Sequence, residues 1–390
     1  MGDQDVDGVR PPRRAWVVAK QLPARTDSGG RQRIRAVIDT YAEVFADVQV
    51  VGFDAWDDWR EQLPAHVVVH PVEAPQATAP AVLRSSVFAG KWYSGRLRAL
   101  LAQQVRGRDV VHVDFPQMAV NVPADVRIDV LDMHNVESDL IDRRLRTEHP
   151  RARWLVRPEV ARFRRFERAV VRRAVRVTAC SRRDQEELAA AGVQSLFVPN
   201  GVTEPAGRSP QPGTASALFV GAVDYGPNRA GLRWFLDEVW PAVLARTPQA
   251  RFTAVGRALS DVHPREAGEP AGVAFHSQVP SVDPFYDAAD VCVVPLLSGG
   301  GTKIKLVEAM SRGRAVVTTS VGLEGLEEYR SAVVVADDPT SFADAVARLL
   351  RDPAEAQRLG KVAAEAIAED FSWRTAMTPL RDLLIGLRDN

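Results

Sequence analysis

Short runs of β-branched and apolar residues recur along this chain, each leading into a polar loop and then a longer stretch with helical spacing. AWVVA (15–19) is followed by RQRIRAVIDTYAEV. VQVVGF (48–53), DVVHVD (109–114), RIDVLDMH (127–134) and VRVTAC (175–180) continue the pattern. Such alternation is the signature of parallel α/β units. After SLFVPNGV (195–202) comes TEPAGRSPQPGTAS, whose Pro, Gly and Ser content is that of an interdomain linker. The pattern then restarts with ALFVGAV (217–223), ARFTAVG, VAFHSQV, ADVCVVPL (289–296), AVVTTS and AVVVAD. PNRAGLRWFLDEVWPAVL reads as a helix ending near Pro241.

The expectation is therefore two doubly wound Rossmann-like α/β domains facing across a cleft. Their expected boundaries are a disordered tail at 1–13, a first domain at 14–202, a linker at 203–216, a second domain at 217–370 and a final helix at 371–390. A chain of 390 residues, 46% hydrophobic, has the length and core material for two domains. Ligands of such sheets sit off the carboxyl ends of the strands.

Charge narrows the function. The 50 basic and 50 acidic residues cancel, which argues against a protein whose whole surface is a nucleic-acid or membrane footprint. Cys180 and Cys292 each follow an apolar run, so reduced core thiols and a cytoplasmic location are expected. No apolar run approaches the roughly 18 residues of a spanning helix, and MGDQDVDGVRPPRR lacks the apolar core of a secretory signal.

SGGGTKIKLVEAMSRG (298–313) is the most chemical segment: strand, glycine loop, helix. Gly299, Gly300 and Gly301 permit positive φ and close ligand approach. Thr302 is the expected N-cap of a helix whose N-terminus attracts anions. Lys303 and Lys305 oppose the helix dipole unless an anion such as a phosphate neutralises them. Glu308, inside an apolar helix, can accept hydrogen bonds from vicinal sugar hydroxyls. The plain alternative is a surface Lys305–Glu308 pair worth ~0.2–0.5 kcal/mol.

PLLSGGGTKIKLVEAMSRGRAVVTTSVGLEGL resembles the donor-binding segment of retaining glycosyltransferases of family four, which have the GT-B fold. SGGRQRI, DMHNVESDL, VTACSRRDQEEL, VPNGV, LFVGAVDYGPNRAGLRWFL and FSWRTAMTPLRDLL agree in order. The resemblance implies a nucleotide-diphosphate sugar, UDP or GDP, as co-substrate held mainly by the second domain. The acceptor, a glycan, a lipid-linked sugar or a small natural product, would sit on the first. Glu308 matches the second Glu of the family's Glu-x7-Glu pattern; the first is replaced by Gly300. A basic pair that often holds the diphosphate is replaced by Ala222 and Asn228, leaving Lys303 and Lys305 as substitutes. Gly221 and Asn200 are implied donor contacts, and Gly29, Gly30 and Arg33 an acceptor or phosphate loop. The reaction centre is implied at His134 or Asp114, with Asp132 and Glu137 nearby. No strand-end Asp-x-Asp occurs, so no metal and no further cofactor are expected.

Residues 143–176 hold 13 arginines and three glutamates. Val160, Phe163, Phe166, Val170 and Ala174 mark an amphipathic helix. Its polar face is either simply solvated, or a contact for an anionic membrane at the inner face of the cell, or a contact for another anionic partner. Two other functions fit the same fold: a nucleotide-sugar epimerase, and a non-catalytic sugar-nucleotide binding protein.

Overall fold

The computed structural model describes residues 13–22, 29–53, 63–147, 153–202, 213–262, 271–277, 279–299, 304–368 and 370–389. The first sheet comprises β1 (Ala15–Ala19), β2 (Val48–Phe53), β3 (Val67–Val72), β4 (Val110–Asp114), β5 (Ile128–Met133), β6 (Ala174–Ala179) and β7 (Leu196–Phe197). Its strand order is β3-β2-β1-β4-β5-β6-β7. The second comprises β8 (Ser216–Val220), β9 (Arg251–Gly256), β10 (Val273–Ser277), β11 (Val291–Val294), β12 (Ala315–Thr318) and β13 (Val334–Val335), in the order β10-β9-β8-β11-β12-β13. Every strand pairing among the described residues is parallel. Parallel strands need crossover connections, here helices on both faces.

The first half carries α1 (Gly29–Val44), α2 (Ala79–Arg84), α3 (Val87–Gly90), α4 (Gly95–Gln104), α5 (Glu137–Thr147), α6 (Arg153–Arg173) and α7 (Arg182–Ala190). The second carries α8 (Gly226–Trp234), α9 (Trp240–Arg246), α10 (Asp283–Asp287), α11 (Ile304–Ser311), α12 (Ser320–Leu323), α13 (Pro339–Arg351) and α14 (Pro353–Ile367). α15 (Trp373–Ala376) and α16 (Thr378–Asp389) complete the chain. Each sheet lies between two apolar clusters. Leu380 and Leu384 of α16 share a cluster with Val37 and Tyr41 of α1, so the last helix packs on the first half. Two ion pairs also join the halves: Arg183 Nη1 lies 2.9 Å and Arg143 Nη1 3.5 Å from the carboxylate of Glu324. Cys180 and Cys292 are buried and free.

Three local expectations change. The helix expected to end near Pro241 runs on to Arg246, because residues 235–239 form a π-helical turn and Pro241 then falls in the first turn of α9, where its missing N–H costs little. The single helix expected over 143–176 is two, α5 and α6, separated by residues outside the described set. VVVHPV, unassigned from sequence, is β3, an edge strand that tolerates Pro71.

Candidate active site

The register of the first sheet aligns Asp114 of β4 with Asp132 of β5, and Asp132 with Thr178 of β6. Two buried carboxylates on neighbouring strand ends repel unless cations neutralise them. Arg33 supplies one cation from α1. Its Nε and Nη2 donate to the Asp132 oxygens at 2.8 and 2.7 Å, and Thr178 Oγ1 donates to Oδ1 at 2.5 Å. His134, one residue past β5, supplies the other. Its Nε2 lies 2.6 Å from Asp114 Oδ1 and 3.5 Å from Asp132 Oδ2. Burial would lower the imidazole pKa, but the two carboxylates outweigh it and raise it to about 8. Asp132 is held well below the usual carboxylate range, since Arg33 and His134 overcome the opposing effect of burial. His134 and Asp114, which sequence reasoning treats as competing centres, are thus one hydrogen-bonded pair.

The loop that presents His134 is pinned from several sides. Cys180 Sγ donates to the His134 carbonyl at 3.0 Å. The Val136 N–H donates to Asp184 Oδ1 at 3.0 Å and the Glu137 N–H to Glu167 Oε1 at 2.8 Å. Glu137 accepts from Gln117 Nε2 at 2.7 Å, so it serves this loop and not the centre.

Phe115 was not foreseen. It takes φ 68° and ψ 138°, a strained setting for a residue with a Cβ. The strain places its ring 3.9 Å from the His134 ring, stacked. Lys20 lies over Phe115 and Trp92, its Nζ 4.3 and 4.7 Å from their centroids. Its backbone N–H donates to Asp114 Oδ2 at 3.2 Å. A cationic residue, two aromatic rings and an imidazole therefore converge at the strand ends beside Asp114.

The expected phosphate loop is placed differently from its sequence reading. Arg33 is 1% exposed, and besides Asp132 it donates to the carbonyls of Val198 and Pro199 and to Asn200 Oδ1 at 3.1 Å. Its donors are committed within the protein, so neither Arg33 nor the Asn200 oxygen it binds is open to a phosphate without breaking these bonds. Gly29 opens α1, and Gly30 is exposed with open space where a Cβ would stand.

In the second half, Gly300, Gly301, Thr302 and Lys303 lie outside the described residues. Gly299 takes φ 147°, a backbone setting that side chains rarely adopt. Gly221 follows β8, its N–H bonded to the Val255 carbonyl. A Cβ on Gly256 would lie 1.9 Å from the Gly221 carbonyl oxygen, so the two strand ends approach as only glycine allows. Lys305 Nζ donates to Asn228 Oδ1, and Asn228 Nδ2 donates to the Ala222 carbonyl at 2.8 Å. The lysine named as a substitute thus reaches the position whose basic residue is missing.

Glu308 sits in α11 with Leu306, Val307, Ala309 and Met310 buried around it. Its side chain is 13% exposed and 3.8 Å from Arg312 Nη1. Tyr286 Oη lies 3.4 Å from its Oε2, and the Gln32 side chain of α1 hydrogen-bonds it from the other half. Burial raises its pKa against the lowering effects of Arg312, Gln32 and Tyr286. No Lys305–Glu308 ion pair is found among the described residues; Arg312 and Tyr286 take that place.

Oxygen and nitrogen atoms of Asp114, Asp132 and His134 lie within 4.8 Å of one another, a grouping able to offer three ligands to a cation. The donor set fits an ion-pair network better. Both Asp132 oxygens are engaged by Arg33, and the positive charges of Arg33 and His134 already balance the two carboxylates.

Residues 214–352, most of the second half, match the family described as Glycosyl transferases group 1. An uncharacterised 44.6 kDa protein in the cps region of Klebsiella pneumoniae is 29% identical over 136 residues; the match spans 33% of this chain and 35% of that protein's length. Solved structures are similar over nearly the whole chain. WaaG, a glycosyltransferase involved in lipopolysaccharide biosynthesis, is 15% identical with a TM-score of 0.65, over 95% of this chain and 98% of its own. Anabaena HepE in complex with UDP and glucose is 13% identical with a TM-score of 0.65, over 96% of this chain and 100% of its own. A variant of S. aureus TarM in complex with Fondaparinux, α-GlcNAc-glycerol and UDP is 9% identical with a TM-score of 0.68, over 95% and 99%. With its two parallel sheets and this likeness across both halves, the chain has the GT-B fold.

Proposed function

We propose that the protein is a retaining glycosyltransferase that moves a sugar from a nucleotide-diphosphate donor to an acceptor hydroxyl. The observation that carries this reading is Glu308, a largely buried carboxylate in an apolar helix after a glycine loop, within the segment matching Glycosyl transferases group 1. Glu308 would accept hydrogen bonds from the ribose diol, exchanging its present donors Gln32 and Tyr286 for the nucleotide's. Lys305, with Lys303, would neutralise the diphosphate, so the reaction would proceed without a divalent metal. HepE and TarM were solved with UDP, which supports a uridine donor.

The His134–Asp114 pair would face the transferred sugar and the acceptor. In same-face attack the leaving phosphate assists deprotonation of the acceptor, so the protein's part is positioning and electrostatics. The Asp114 carboxylate, fixed by His134 and the Lys20 N–H, would orient the acceptor hydroxyl or stabilise positive charge developing on the sugar. An epimerase would act on the same donor without an acceptor.

A thermal-shift panel of UDP-, GDP-, ADP- and TDP-sugars tests the reading. A ligand at 100 times its Kd stabilises by roughly 2.7 kcal/mol. If none shifts the melting curve, the donor assignment fails. Donor consumption that yields an isomer without any acceptor would select the epimerase.

A further inference from the structure

The strand ends of the first sheet carry one cation more than their buried carboxylates require. Asp132 is matched by Arg33 and Asp114 by His134. Lys20, the residue after β1, adds a further positive charge beside Asp114, to which its backbone N–H donates. Among the described residues its ammonium makes no ion pair and no hydrogen bond.

What the ammonium has instead is two aromatic faces, Phe115 at 4.3 Å and Trp92 at 4.7 Å to the ring centroids. A ring quadrupole attracts an ammonium but carries no net charge, so these rings aim the cation without neutralising it. Its three N–H donors stay available to a ligand. Lys20, Phe115 and Trp92 are all half-buried, and the Nζ atom is not sealed from solvent. The cation is thus partly stripped of water yet reachable, a setting in which an opposite charge gains more than on an open surface.

Both rings are held in place by the backbone around them. Asn121 is fully buried; its Nδ2 donates to the Trp92 carbonyl at 2.9 Å and its Oδ1 accepts the Ser94 N–H at 2.7 Å. Phe115 is held at its positive φ of 68°. The His134 ring, stacked at 3.9 Å, fills one face of Phe115, so Lys20 takes the other. The ring separates two cations that would otherwise repel, and sets the ammonium one ring's thickness from the imidazole.

We propose that Lys20 binds an anionic group of the acceptor, a carboxylate or a phosphate ester on the sugar that bears the reacting hydroxyl. The proposal rests on the glycosyltransferase reading and names the acceptor class for it. Lys20 reaches both points of such a sugar. Its N–H helps fix Asp114, the group assigned to the acceptor hydroxyl, and its ammonium stands at the other end of the same side chain, a span comparable to one pyranose ring. A neutral sugar would be served by carboxylates and amides alone, whereas an ammonium without a counter-charge favours an anion through charge-assisted hydrogen bonds. The donor diphosphate is a less suitable occupant, because Glu308 and Lys305 belong to α11 of the second half and Lys20 to the first sheet.

The test is ligand-observed saturation-transfer titration of the full chain with glucose, glucuronic acid, glucose 6-phosphate and inorganic phosphate, beside calorimetric titration of UDP. At least one of the two charged sugars should bind about tenfold more tightly than glucose, and the favoured one identifies the anion as carboxylate or phosphate ester. High salt should shrink the preference. Lys20→Gln should abolish it and Lys20→Arg, which keeps the charge, should retain it. Neither variant removes the backbone N–H that Asp114 accepts, so the fold is kept. Absence of binding by both charged sugars overturns the proposal, as does a preference that survives Lys20→Gln. Inorganic phosphate binding as tightly as glucose 6-phosphate would also overturn it, leaving a bare anion site. Loss of UDP affinity in Lys20→Gln to the same extent would give the ammonium to the donor instead. UDP binding without any preference for charged sugars therefore removes this proposal alone. Preference for charged sugars in a protein that binds no nucleotide sugar removes the transferase reading and keeps the Lys20 site.

Discussion

Replacing His134 with Gln should cost more stability at low pH than at high pH. Glutamine keeps a donor for Asp114 but removes the charge. In the folded protein the imidazole pKa is raised to about 8, because Asp114 and Asp132 outweigh the lowering effect of burial. In the unfolded chain it is about 6.5. A group raised by folding contributes stability fully below its unfolded pKa and loses it as pH climbs through the folded value. The separation of about 1.5 units corresponds to ~2 kcal/mol at ~1.36 kcal/mol per unit. His134 is 8% exposed, so solvent screening reduces this little. Relative to wild type, His134→Gln should therefore cost ~2 kcal/mol more at pH 6 than at pH 9.

Urea unfolding of both proteins at the two pH values reads this difference of differences. Packing losses that do not titrate cancel between the two pH values. Glu167, raised by burial to about 7, also titrates in this window but is present in both proteins and cancels. A nuclear magnetic resonance titration of the histidines supplies the direct check. If the penalty of the variant is the same at pH 6 and pH 9, or if His134 titrates at or below 6.5, the charged His134–Asp114 pair is refuted.

Glu308→Gln should weaken the donor nucleotide by ~1.5–3 kcal/mol, the worth of a charge-assisted hydrogen bond; calorimetric titration showing unchanged affinity would remove Glu308 from the site. Arg33→Met removes the cation paired with Asp132 and strands a buried carboxylate, so denaturation should show a loss of ~3–5 kcal/mol. Wild-type stability in that variant would show that Arg33 does not hold the strand-end cluster together. Turnover should survive EDTA; loss on chelation with recovery on adding Mn²⁺ would replace the proposed lysine-based phosphate binding with a metal-based one.

The elements were legible in the sequence where a local pattern decides them. Strands β1, β2, β4, β5 and β6 are apolar runs bounded by polar loops, and the glycine loop before α11 is marked by its own composition. Local pattern failed where a longer-range term took over. VVVHPV contains His70 and Pro71, which argue against a central strand, and only its place at the sheet edge makes it β3. Pro241 reads as a stop because the π-turn before it leaves no trace in hydrophobic spacing. Phe115 carries no glycine-like signal for its positive φ; the pull comes from its neighbours Asp114 and His134.

Arg33 shows the same limit with a functional consequence. A cation in the first turns of a helix, behind two glycines, has the sequence appearance of an anion contact. What redirects it is the alignment of Asp114 with Asp132, set by two strands whose partner residues lie far apart in the chain. Those aspartates demand compensating cations in the protein itself, and Arg33 and His134 meet that demand. Lys305 illustrates the opposite case. Its opposition to the helix dipole is visible locally, and in the fold its Nζ donates to a neutral amide, the Asn228 oxygen. A guanidinium whose donors are taken by carboxylate and carbonyl oxygens, as those of Arg33 are, has little left for a phosphate. The register of the first sheet therefore assigns Arg33 to holding the strand ends together.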